Sequence, residues 1–263
     1  MQSVKILSFL LFAGLGITFP FLSLHFKNLG FSGKEMGLIT ALYPLFAFLS
    51  QIFSGILSDF TKNLRHFLKI ILAGLALSLT ALYFVQSFWP FFALYAVYSL
   101  FLSSALFLSN LGILEALNHN GRQYGKIRVF GSVGFLFSSL ALSKTLDFTG
   151  ISAIFLFFSA FSLLSFTALK AFPGRSETSE GFSLLMLKKL KNRAFWILIG
   201  ITLLFQLSYV SLDLYLALLM KDLGAGPFFI GAAWALGVLA EIPVMAYSER
   251  LLKQLVVLES SIC

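Results

Sequence analysis

Two carboxylates sit where a carboxylate is costly. Asp213 and Glu241 fall deep inside apolar stretches of about twenty residues or more. In hydrocarbon an ionised acid costs at least about 2.5 kcal/mol unless it faces water, finds a partner or keeps its proton. Proton carriage is the chemistry such groups offer. Thr202, Gln206, Tyr209 and Asp213 follow steps of four, three and four, which puts all four on one helix face. A polar stripe of this kind lines water or a solute more often than lipid. A comparable stripe, Thr40, Tyr43, Ala47, Gln51, Ser54 and Ser58, either lines a cavity or bonds a neighbouring helix. No Lys or Arg lies as deep, so the sequence gives neither acid an obvious cationic partner. His25, His66 and His119 are far apart, at loops or helix ends, and the one cysteine is Cys263. Zinc spacing, a phosphate-binding loop and a nucleophile elbow are all missing from the sequence. The expectation is no catalytic residue, no metal, no cofactor and no enzyme.

The elements that must hold these groups follow from composition. The 263 residues are 59% hydrophobic and 11% charged, with 32 Phe, and mean hydropathy is +0.92. Soluble domains carry roughly a quarter charged residues. Too little polar side chain exists here to cover a globule in water. Disorder, coiled coil and nucleic-acid binding are excluded on the same ground, despite the formal charge of +8. A spanning helix needs about 20 apolar residues, and eight stretches qualify: Val4–Phe26, Met36–Ser58, Phe67–Gln86, Trp89–Glu115, Val129–Leu146, Ile151–Ala171, Ala194–Met220 and Phe228–Tyr247. The tail Leu251–Cys263 is too short for another span. The expected fold class is all-α, a polytopic membrane helix bundle. With the N-terminus inside, fifteen of the nineteen Lys and Arg fall on the inner side. That bias places both termini in the cytoplasm and the chain in the cell inner membrane, against anionic lipid headgroups. The abundant Phe is expected mostly at the lipid surface. Pro20 is expected to kink the first span. Gly131 and Gly134, with Ser132, Ser138 and Ser139, give the fifth span a small face for close packing.

The chain also repeats itself. Shifted by 194 positions, Leu10, Leu22, Leu24, Lys27, Leu29, Gly30, Gly37, Ala41 and Leu42 fall on Leu204, Leu216, Leu218, Lys221, Leu223, Gly224, Gly231, Ala235 and Leu236. Nine identities in 33 positions exceed the roughly three that such a biased composition would give. Six spans separate the copies, so both enter the membrane from the same side. Parallel repeats of this kind build the two halves of a major facilitator transporter. The organisation expected is a six-helix bundle over 1–171, a linker over 172–193, and an incomplete second half over 194–263.

Motifs carry the same resemblance. Gly55-Ile-Leu-Ser-Asp59, followed by Lys62, Arg65 and His66, resembles the cytoplasmic loop signature of the major facilitator superfamily, although Phe60 and Asn63 stand where Arg and Gly are usual. Tyr124-Gly-Lys-Ile-Arg-Val-Phe-Gly-Ser-Val-Gly134, after Glu115, resembles the lactose permease and phenylpropionate permease branch, as does Ala235-Leu-Gly-Val-Leu-Ala-Glu241. The resemblance implies Glu115 and Arg128 as a substrate-binding pair and Gly55, Asp59 and Arg65 as a gating loop. The two polar stripes add Gln206, Tyr209, Tyr43 and Gln51 as binding candidates, and depth in the spans makes Glu241 or Asp213 the candidate proton carrier. The implied function is proton symport of a small organic solute, an aromatic acid, sugar or nucleoside, by a monomer in contact with membrane lipids. The alternative reading is a truncated, non-transporting fragment of such a permease, because a second half of equal length would end near residue 390.

Overall fold

The computed structural model describes residues 1–60, 64–117, 124–172 and 193–262. Eight helical spans run in chain order: α1 (Gln2–Asn28), α2 (Gly33–Phe60), α3 (Leu64–Phe84), α4 (Phe88–Ala116), α5 (Tyr124–Thr149), α6 (Ala153–Ala168), α7 (Arg193–Asp222) and α8 (Pro227–Ile262). All eight expected spans are present, and no strand occurs among the described residues. By length and composition α1, α3, α4 and α5 each suffice to cross a membrane. Pro20 breaks α1 as expected, through a single 3-10 turn at Phe19–Phe21.

Two boundaries differ from the sequence reading. Tyr124–Arg128 belongs to α5 rather than to the loop before it. Helix α8 runs on to Ile262, because no Gly or Pro interrupts the residues after Pro243 and many of them favour helix.

Helix α1 lies at the centre. It packs along α5 and α6, while α3 packs on α4 and α6, and α2 packs on α4. Helix α8 lies along α5, and α7 meets chiefly the Phe19–Asn28 portion of α1. The contact of α1 with α5 depends on reciprocal glycines. A side chain at Gly16 would strike the Phe135 carbonyl, and one at Gly134 would strike the Phe9 carbonyl. The small face read from Gly131 and Gly134 is therefore a packing face. Polar groups inside the bundle follow the same economy. Apart from Thr18, His25 and Glu115, the buried polar residues among those described are all serine. Ser159 and Ser162 of α6 donate to the Ala76 and Leu72 carbonyls of α3 at 3.0 and 2.9 Å, and Thr80 bonds Ser159 at 2.9 Å. Ser50 of α2 bonds Ser103 of α4.

Phe21, Phe26, Phe91, Phe155, Phe158 and Phe172 are fully buried, so part of the aromatic bulk is core as well as lipid surface. Rings with edge contacts fill space between helices that small residues leave open. His25 is sunk among them, its ring 5.0 Å edge-on from Phe155 and 5.8 Å from Phe91.

The repeat is visible in geometry. Gly30 and Gly224, 194 apart, both adopt positive φ, at 77° and 87°. Around Gly30, Leu29 N–H donates to His25 O, Gly30 N–H to Lys27 O and Phe31 N–H to Phe26 O. Around Gly224, Leu223, Gly224 and Ala225 donate to Leu219, Lys221 and Met220 in the same pattern. Each is a Schellman cap, which needs a left-handed residue after the helix and so favours glycine. The next helix starts at Gly33 in one copy and Pro227 in the other, again 194 apart. In the first copy Ser32 and Glu35 add a reciprocal capping box, Ser32 N–H and Oγ each donating to Glu35 Oε2 at 2.7 Å. Those bonds hold the Glu35 carboxyl below the ordinary carboxylate range.

Replacing Gly134 with Leu is expected to force α1 and α5 apart, at a cost of about 1–3 kcal/mol or more. The same change at Gly37, which has open space around it, is expected to leave stability unchanged. Thermal unfolding of the two purified variants in detergent compares them directly.

Candidate functional site

Arg128 stands near the start of α5, on the face of the bundle that holds the N-terminus. Its position follows from two small features. Helix α1 lies close enough for the guanidinium to stack on Phe12, 3.8 Å from the ring centroid. Gly131, one turn along α5, leaves room for the head group, since an added Cβ would lie 2.8 Å from Arg128 Nη1 and 2.9 Å from the Phe12 ring. Phe12 gives the cation an aromatic face in place of water. Nη1 is buried and has no hydrogen-bond partner.

Helix α8, which carries Glu241, packs along α5. Helix α8 runs antiparallel to α5. Gly231 packs on the Ser139 carbonyl and the Ser143 side chain, and Ser132 Oγ lies 3.7 Å from Met245 Sδ. That register carries Glu241, itself exposed, alongside the start of α5. Arg128 stacks on Phe12. Glu115 is buried near the end of α4, and α4 and α5 touch little.

Tyr43, half-buried on α2, packs against the core that holds Tyr95 and Tyr98 of α4, whose rings lie 5.2 Å apart. Tyr95 and Tyr98 were not found by sequence reasoning. Their spacing is helical, but nothing in it separates a cavity tyrosine from a core one. Thr40 and Thr202 satisfy their hydroxyls on their own helices, bonding Met36 O at 2.9 Å and Leu198 O at 2.8 Å. In α2 the bond to a neighbouring helix comes from Ser50, one position off the stripe. Gln51, Gly55 and Asp59 lie on α2, and Gln206, Tyr209 and Asp213 on α7; their side chains lie outside the described residues. Arg65 of the expected gating loop donates through Nε to the Phe172 carbonyl at 2.8 Å, tying the start of α3 to the segment after α6.

On the opposite face, Lys27 Nζ and Asp222 Oδ1 form an ion pair at 2.7 Å between α1 and α7. The sequence held a clue to it, since the offset of 194 places Asp222 on Asn28.

Residues 1–261 match the MFS_1 like family. The chain is 29% identical over 251 residues to the transporter YwbF of Bacillus subtilis strain 168, covering 93% of this chain and 62% of that protein. It is 26% identical over 260 residues to a probable 3-phenylpropionic acid transporter of Escherichia coli K12, covering 94% of this chain and 66% of that one. The chain thus spans somewhat less than two thirds of the length of these relatives. The solved structure of the nucleoside transporter NupG superimposes with a TM-score of 0.78 at 18% identity, over 96% of this chain and 67% of that one; the likeness is one of fold.

Phe12→Leu keeps apolar volume and removes the ring face beneath Arg128. The variant is expected to lose about 0.5–2 kcal/mol of stability, read as a lower unfolding midpoint in detergent. A Phe12→Tyr variant, which keeps the face, is expected to match the parent.

Proposed function

The chain belongs to the MFS_1 like family, within the major facilitator superfamily, and from that premise we propose that it serves proton-coupled transport of a small organic acid by alternating access. Residues 1–171 form the first bundle, 172–193 the linker and 194–263 the beginning of the second. Solute binds near the midplane between the repeats, and rocking of one against the other exposes it to each side in turn. The N-terminal face is cytoplasmic, as the distribution of Lys and Arg requires.

The observation that carries this reading is Arg128, stacked on Phe12 with a buried Nη1 that has no hydrogen-bond partner. It stands on α5 of the first repeat, along which packs α8 of the second, the helix of Glu241. A solute carboxylate can take the free position as a charge-assisted hydrogen bond. Glu241, deep in an apolar stretch of the second repeat, carries the proton that accompanies the solute anion. By linkage, solute binding favours proton binding and proton binding favours solute to the same degree. The loaded carrier reorients with its charges neutralised, avoiding a bare carboxylate in a medium of low polarity. The aromatic acid of the Escherichia coli relative suits this chemistry, whereas a sugar or nucleoside offers no anion to Arg128.

Membrane vesicles carrying the protein, given an inward proton gradient, are expected to accumulate a radiolabelled aromatic monocarboxylate above its outside concentration. Glu241→Gln is expected to reduce the internal concentration to the external level while exchange across the membrane persists. Undiminished accumulation by that variant would sink the assignment. Arg128→Lys loses the planar fork and is expected to weaken solute affinity roughly ten- to hundredfold, the range of a charged hydrogen bond of about 1.5–3 kcal/mol.

A further inference from the structure

Resting on the cytoplasmic placement of the N-terminal face, we propose that the groove between α1 and α5 at that face binds one anionic phospholipid of the inner leaflet. Its phosphate lies at Lys5 and Lys126, and an acyl chain follows the groove. Gln2, Lys5, Ile6, Phe9, Leu10 and Phe130 line an open cavity of about 270 Å³ there. Lys5 is the one charged residue of the six, and none is acidic. Its ammonium lies 4.7 Å from the Phe130 ring centroid, and among the described residues no acid forms an ion pair with it. An aromatic face holds a cation without neutralising it, so Lys5 keeps its charge for an anion.

The walls repeat the polarity of a phospholipid. Lys126, Phe130, Val133 and Phe137 follow steps of four, three and four, which puts them on one face of α5. All four are exposed. The cation stands at the inner end of that face, and the apolar side chains follow toward the membrane interior. Helix α1 supplies the other wall. Ile6 is exposed, and the Phe9 ring lies 6.0 Å from that of Phe137. Lysines at such a boundary lay their stems on apolar surface and their ammonium groups among lipid headgroups. The negative potential of a cytoplasmic leaflet draws them there. Two lysines flanking one apolar groove concentrate that attraction at a single place.

The groove is distinct from the solute position. Arg128 and Phe130 are two residues apart on α5, about 200° round the helix. Pockets that enclose a small molecule hold roughly 300–1,000 Å³. A smaller, open groove suits a chain that lies along the surface of the bundle.

Native mass spectrometry of the whole chain tests this, with the protein released from detergent that holds equal amounts of phosphatidylglycerol and phosphatidylcholine. One phosphatidylglycerol is expected to stay bound in preference to phosphatidylcholine. Lys5→Gln and Lys126→Gln are each expected to lower the ratio of bound phosphatidylglycerol to free protein about fivefold, the effect of one lysine near an anionic surface. Lys5→Arg is expected to keep it. Lys69→Gln removes an exposed lysine near the start of α3 and is expected to change nothing. Equal retention of the two lipids overturns the site, because the groove then recognises no charge. A loss from Lys69→Gln as large as that from Lys5→Gln overturns it as well, because the attraction is then spread over the whole face. Labelling of Gln2→Cys, with Cys263→Ser, by a membrane-impermeant thiol reagent outside intact cells would overturn the inner placement separately.

Discussion

Hydrocarbon offers helices no hydrophobic reason to associate, since a lipid tail is as apolar as Leu. A bundle in that medium holds together through close backbone approach and through hydrogen bonds that find no competitor. Every feature of the first six helices answers to this constraint. Gly16 and Gly134 let α1 and α5 meet backbone to side. Serine, the smallest side chain with a hydroxyl, fills the buried polar positions and joins α3 to α6 through carbonyls at Leu72 and Ala76. Large rings then close the gaps, which explains why Phe26, Phe91 and Phe155 surround His25 instead of facing lipid. The central place of α1 follows: it carries Gly14 and Gly16 for its neighbours and the ring of Phe12 for Arg128.

The repeat shows which parts of that design are shared and which have diverged. The turn after the first helix of each copy is the same to the hydrogen bond, with a left-handed glycine at its tip and the next helix starting three residues later. Such a turn sets the angle at which one helix follows another, so the architecture is retained there. The side chains carried by the turn differ. Asn28 and Asp222 occupy equivalent positions with different charge. Gly37 and Gly231 are also equivalent, but Gly231 is pressed against α5 while Gly37 stands open.

Much of the fold was legible in the sequence because the bilayer reads length and polarity directly. Eight apolar stretches became eight helical spans, Pro20 produced its break, and the offset of 194 reappeared in helix ends that the alignment itself could not see. The site was legible only in part. Arg128 and Glu241 were each singled out, one by resemblance and one by depth, but the packing of their helices was not, because the register of α5 along α8 is set by Gly231 against Ser139 and Ser143 and by Ser132 against Met245, which no sequence pattern marks. Tyr95, Tyr98 and Phe12 were missed for a related reason. An aromatic residue in an apolar helix looks the same whether it faces lipid, core or a guanidinium.

The cations explain why the interior tolerates charge at all. Lys5 lies 4.7 Å from the Phe130 ring and Arg128 lies 3.8 Å from the Phe12 ring. An aromatic face compensates partly for lost water, yet it leaves N–H groups unfilled, and Arg128 Nη1 is such a group. A guanidinium so placed is stable enough to fold around and still able to receive an anion. Full pairing with a fixed carboxylate would have cancelled that capacity, since a satisfied ion pair binds nothing further. In the proposed mechanism, an open guanidinium of this kind is what lets a solute anion bind, and linkage then ties that binding to a proton carried by the second repeat.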